Sequence, residues 1–136
     1  MSQHKKRTRM IEFSPSDLEK TYYVSGPMSG YPEYNYPAFQ RCCDRLRNIG
    51  FKLISPHEIK PPKVNMAEEQ MWVWYMQECA KQFRGVDGGI IMLRGWPESR
   101  GANMELGWAL TGRLPVYLYL EVPGRLVRMS GEKVKS

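Results

Sequence analysis

Two spacings of apolar positions alternate along the chain, and each predicts a different element. In "TYYVS" (21–25) aromatic and β-branched residues predict a strand, which stops at "GPMSG". From about Pro37 to Asn48 the apolar residues Phe39, Cys42, Cys43, Leu46 and the following Ile49 recur at helical spacing. Arg41, Asp44, Arg45 and Arg47 fall mostly outward, and Gly50 closes the helix. "FKLIS" (51–55) is a second short strand. After the Pro-rich loop "SPHEIKPPK", residues 66–83 predict a second helix carrying Met66, Met71, Trp72, Trp74, Tyr75 and Met76. "GGIIML" (88–93) is a continuous apolar run, the mark of a strand covered on both faces. A third helix is expected from near Gly101, with Ala102, Leu106, Ala109 and Leu110 as its apolar stripe, and "PVYLYL" (115–120) is the next strand.

This alternation of strand and helix predicts an α/β domain of flavodoxin or Rossmann-like type, a three-layer sandwich around a small, mainly parallel sheet. With strand order 2-1-3-4, the ligand crevice lies beyond the carboxyl ends of the first and third strands. The loops meeting there are "GPMSGYPEYN" and "RGWPESRGA", each leading into a helix N-terminus where free N–H groups favour an anion. Neither is a P-loop or a GxGxxG fingerprint, so nothing in them calls for a nucleotide cofactor.

One residue disturbs the pattern. Glu105 falls at the edge of the third helix's apolar stripe, its side chain leaning back toward the helix N-terminus. An acidic residue there can merely offset the helix dipole; facing a pocket, it can act as base or nucleophile.

Composition narrows the classes. At 136 residues with 42% hydrophobic and 25% charged content, the chain reads as a single ordinary globular domain. No apolar run approaches the roughly 20 residues of a membrane span, and "MSQHKKRTR" lacks the apolar core of a signal peptide, so a cytoplasmic protein is expected. Three cysteines, Cys42, Cys43 and Cys79, with only His4 and His57 beside them and no CxxC, argue for reduced thiols and against a metal site. His57 reads as a solvated loop residue. The formal charge is +6, but from Lys20 to Glu121 twelve Lys and Arg face ten Asp and Glu, a balance of +2. The excess lies in a basic extension (1–19) and a C-terminal segment (122–136), on either side of a domain at 20–121. Solvated tails explain that better than nucleic-acid binding does.

"YYVSGPMSG", then Asn35 and Phe39, then "DGGIIMLRGWPESRGANMELGWAL" resemble the nucleoside 2-deoxyribosyltransferase-like superfamily, including a small, often phage-encoded branch. The resemblance spans Thr21 to Leu120. It implies that Glu105 is the nucleophile that attacks the anomeric carbon of a deoxyribose, with Tyr23 at the strand end beside it. Ser99 stands where transferases of the superfamily carry an Asp for the sugar 5′-hydroxyl and the 2′-deoxynucleoside 5′-phosphate N-hydrolases carry a Ser for a 5′-phosphate. Hydrolysis of a deoxynucleoside 5′-monophosphate is therefore the expected activity, without cofactor or metal; base exchange and nucleotide binding without turnover are the alternatives.

Gly26, Pro27, Met28, Ser29 and Gly30 resemble the hydrolases' phosphate loop, with Ser29 in place of their Arg, and Gly101 follows Ser99 at the second loop. A further departure is Cys79, which stands where relatives carry an Asp that assists departure of the base. Trp96 either stacks on the base or anchors its loop. Trp72, Trp74 and Tyr75 are expected in the core or at a subunit interface. The segment "EVPGRLVRMSGE" has too few apolar residues for another buried element. By resemblance it crosses to a second subunit of a homodimer, where Arg128, with Arg125 and Ser130, contacts the phosphate.

Overall fold

The computed structural model describes residues 13–129. The basic extension before Phe13 and Ser130 lie outside them. Five strands, β1 (Thr21–Ser25), β2 (Lys52–Ile54), β3 (Gly89–Met92), β4 (Val116–Leu120) and β5 (Arg125–Met129), and three helices, α1 (Tyr36–Ile49), α2 (Glu68–Phe83) and α3 (Arg100–Thr111), form an α/β sandwich. The sheet order is β2-β1-β3-β4-β5. The first four strands run parallel and β5 runs antiparallel to β4. Order therefore reverses between β1 and β3, where Tyr22 pairs with Gly89 and Ser25 with Met92.

Strand alternation decides what each face receives. Tyr22 and Val24 point to the α1 side, joining Phe39, Cys42, Cys43, Leu46, Phe51 and Tyr117 in one core. Tyr23 points the other way, into a core with Ile90, Met92, Cys79 of α2, and Ala102 and Ala109 of α3. No helix among the described residues is long and apolar enough to cross a membrane.

Three expectations need correcting. The C-terminal segment does form a further element. Arg125–Met129 is the antiparallel edge strand, and Leu126 alone, 4% exposed, carries it into the α1-side core. A strand at a sheet edge buries one face, so few apolar residues suffice. The α/β unit thus runs past Glu121 to at least Met129. Ile49 and Leu110 are 57% and 59% exposed. Ile49 lies nearly one turn past Leu46, the last buried residue of its helix, and Leu110 directly follows the buried Ala109, turned about 100° away from it. His57 is half-buried, its Nδ1 2.6 Å from Ser55 Oγ and its Nε2 3.0 Å from Gln40 Oε1. Those bonds pin the Pro-rich loop to α1.

Candidate functional site

The third helix begins where the sequence sets it. Ser99, extended at φ −100° and ψ 121°, accepts a hydrogen bond from Ala102 N–H at its Oγ, 3.1 Å away. Asn103 Nδ2 donates back to the carbonyls of Ser99, Pro97 and Trp96 at 2.8, 3.1 and 3.3 Å, fixing the turn that enters α3. The buried residues of α3 are Ala102, Glu105 and Ala109. Glu105 is thus in the middle of the buried stripe rather than at its edge, and it is 4% exposed.

Two hydroxyls receive the carboxylate. Tyr23 Oη donates to Oε2 at 2.6 Å and Ser25 Oγ to Oε1 at 2.5 Å. Both come from β1 at positions two apart, so the pleat aims both at α3. Ser25, not among the residues the sequence suggested, follows from that alternation alone. Burial pushes the Glu105 carboxyl up to about 7, against the pull of the hydrogen bonds from Ser25, Tyr23 and Cys79. Cys79 meets the same carboxylate from α2, and burial together with that negative charge drives its thiol up to about 12. It is a neutral thiol here. Burial and Glu105 likewise raise the Tyr23 phenol well above its ordinary value, so it stays a donor.

Above the carboxylate opens a cavity of about 900 Å³ at the point where strand order reverses. Gly26, Pro27, Met28, Ser29 and Gly30 form one side, and Gly95, Ser99 and Gly101 the other. Gly26 has no room for a side chain, since a Cβ would stand 2.8 Å from Leu93 Cβ. Gly95 lies at φ +92°, and a Cβ there would meet Tyr31 Oη at 2.6 Å, so Tyr31 reaches across from the first loop to the second. Glu33, Tyr34 and Asn35 follow with φ of 53–61°, and Asn35 Nδ2 ties this left-handed turn to Pro27 O at 2.9 Å. The far wall is aromatic and sulfur-rich, with Tyr34, Tyr36, Trp72, Tyr75, Met71 and Met76.

The structure divides the expected site residues. Glu105, the two glycine-bearing loops, Ser99 and Gly101 share the cavity, while Tyr23 buttresses its floor from behind. Trp96 does not line it. Half-buried against the α2/α3-side core, it is the anchor of its loop. Trp72, expected in core or interface, lines the cavity instead. Arg128 is on β5, its guanidinium 5.7 Å from the Tyr117 ring in the α1-side core, and it does not line the cavity. Glu78 pairs with Lys81, and Asp87 accepts from Thr21 N–H at the opposite end of the sheet, so neither carboxylate joins Glu105 in the cavity.

Fold and site together define a mainly parallel α/β protein with a buried, hydroxyl-clamped carboxylate at its topological switch point. Residues 20–118 match the family described as Domain of unknown function (DUF4406), and the chain belongs to that family. No curated protein matches it.

Proposed function

We propose that the protein cleaves the N-glycosidic bond of 2′-deoxynucleoside 5′-monophosphates, with Glu105 as nucleophile and water as final acceptor. The observation that carries this reading is the carboxylate itself, buried at a cavity floor with one hydroxyl on each oxygen. An ionised carboxylate held there is poorly solvated, and forming a neutral ester with a sugar relieves that cost. One Glu105 oxygen attacks C1′, and the bonding pair of the C–N bond leaves with the base, which takes a proton from solvent. Water then attacks C1′, releases the carboxylate and gives its proton to solvent. The products are free base and 2-deoxyribose 5-phosphate. Tyr23 and Ser25 hold the carboxylate plane in both steps, and each oxygen keeps lone pairs for the attack. Cys79, whose thiol sits near 12, is too weak an acid to assist the leaving base. Bases that leave without concerted protonation are favoured as substrates.

The superfamily resemblance of "MELGWAL" gives independent support for the same residue. Under this reading the protein is a homodimer in the cytoplasm, and the exposed Arg128 of β5 serves a neighbouring subunit's cavity. A sedimentation measurement on the full chain, paired with Arg128→Ala kinetics, tests that part. A second reading, exchange of bases on unphosphorylated deoxynucleosides, is favoured by the carboxylates of Glu68, Glu69 and Glu98 around the cavity, which repel a phosphate. The test is a screen of deoxynucleosides and their 5′-monophosphates for free base, with and without a second base. Base release from monophosphates is expected. Mixed nucleosides point to exchange, and no release from any substrate refutes both.

A further inference from the structure

The cavity wall holds a charge arrangement that the cleavage step does not use. Among the described residues that line it, Glu68, Glu69 and Glu98 are carboxylates near the mouth and Arg100 is the one cation. Arg100 is the first residue of α3, where the helix dipole disfavours a positive charge. Two groups of α2 hold it in place. Its guanidinium carbon lies 3.6 Å from the centre of the Trp72 ring, and Nη2 is 2.9 Å from Glu69 Oε2.

The Glu69 pair is 60% and 65% exposed on its two sides, so it is weak and open to exchange. Glu69 engages two of the five guanidinium donors, at 2.9 and 3.5 Å. Beside Arg100, Ser99 Oγ accepts from Ala102 N–H, which leaves the hydroxyl proton to donate into the cavity. A phosphate offers three acceptor oxygens and up to two charges where Glu69 offers one charge, and planar guanidinium groups bind phosphates in bidentate fashion.

We propose that Arg100 selects a phosphorylated sugar at this site by exchanging its Glu69 partner for the 5′-phosphate, with Ser99 as the second donor. Trp72 keeps the guanidinium at the wall in both states. Glu69 is then a competitor for the ligand's place, and Arg100 supplies the charge that Ser29 does not. The inference rests on the glycosidic-cleavage reading for placing the sugar over Glu105.

Calorimetric binding of 2-deoxyribose 5-phosphate and of 2-deoxyribose to the full chain tests it without turnover. The wild type should bind the phosphorylated sugar at least tenfold more tightly. Arg100→Ala should abolish that preference, and Glu69→Gln, which frees Arg100, should enlarge it several-fold while leaving 2-deoxyribose unchanged. No preference in the wild type, a preference that survives Arg100→Ala, or weaker sugar-phosphate binding in Glu69→Gln would each overturn the proposal. Should Arg100→Ala fail to fold, the sign of the Glu69→Gln effect decides. Failure of the cleavage reading looks different: the charge effects on binding stand, yet no deoxynucleotide loses its base.

Discussion

Tyr22 and Tyr23 are neighbours on one strand, equally buried, and they serve opposite purposes. Tyr22 turns toward α1, where its ring meets Phe51 edge-on at 5.3 Å and its hydroxyl donates to Asp17 O at 3.0 Å. Its role is structural, with Phe13 and Tyr117 completing an aromatic cluster. Tyr23 turns toward α2 and α3, where its hydroxyl meets a buried carboxylate. One face of the sheet is a closed core, and the other sets an ionisable group at the bottom of an open cavity. The α1 side of the sheet is thus packed throughout, while the α2/α3 side packs a core around a buried carboxylate.

The largest effects should come from breaking the carboxylate-bearing face at its centre. Under the proposed function, Glu105→Gln removes the nucleophile and should lower base release by about a thousandfold or more, a barrier rise of roughly 4 kcal/mol. Stability should move the other way. Because the folded-state carboxyl is raised from 4.5 to about 7, the wild type binds more protons folded than unfolded between those values. Its contribution to stability is complete below pH 4.5 and is lost as pH rises through 7, by about 3 kcal/mol in total. Glu105→Gln should abolish that pH dependence and be the more stable protein at pH 8, as denaturant melts at pH 5 and 8 will report. The kcat/KM of the wild type should rise through about pH 7 as the nucleophile ionises.

The two tyrosines sharpen the comparison at the next level of effect. Tyr22→Ala should cost about 3–5 kcal/mol of stability, as loss of a buried ring does, with little change in kcat for the protein that remains folded. Tyr23→Phe keeps the ring and removes the hydroxyl. It should cost about 1–2 kcal/mol in stability and lower kcat on the order of tenfold, because one carboxylate oxygen loses its donor. Equal kinetic penalties on both sides of the sheet would erase the distinction.

Cys79 gives the smallest effect, one that shifts a profile. Cys79→Asp places a second carboxyl against Glu105, and a like charge holds the proton on one of the pair. The acid limb of the pH–rate profile should move up by about one pH unit, measured as kcat/KM between pH 5 and 9. An unmoved limb would mean that position 79 does not touch the nucleophile.

Much of this was readable from the sequence because two periods dominate it. Strand β1 coincides with "TYYVS", the βα alternation gives the parallel sheet, and the supposed order 2-1-3-4 of the first four strands, which sets the crevice, matches the sheet. Glu105 stood out because even a partly buried carboxylate at the edge of an apolar stripe is expensive without partners. Those partners were harder to see. Ser25 is an ordinary strand-ending residue until β1 and α3 are brought face to face across 80 residues of sequence. Trp96 took the loop-anchoring one of its two readings, and Trp72 lines the cavity, since helical spacing tells which residues share a face and not whether that face meets core or cavity. β5 was missed because an edge strand needs a single deeply buried side chain, Leu126, and short segments with one apolar anchor look like tails.

The nucleophilic role of Glu105 is tested most directly by trapping the intermediate. The wild type, mixed with a 2′-deoxynucleoside 5′-monophosphate and quenched in acid within the first turnover, should gain the mass of one deoxyribosyl phosphate. Peptide mapping should find it on Glu105, and Glu105→Gln should carry none. Base release at the wild-type rate by Glu105→Gln, or the adduct on any other residue, would contradict the account.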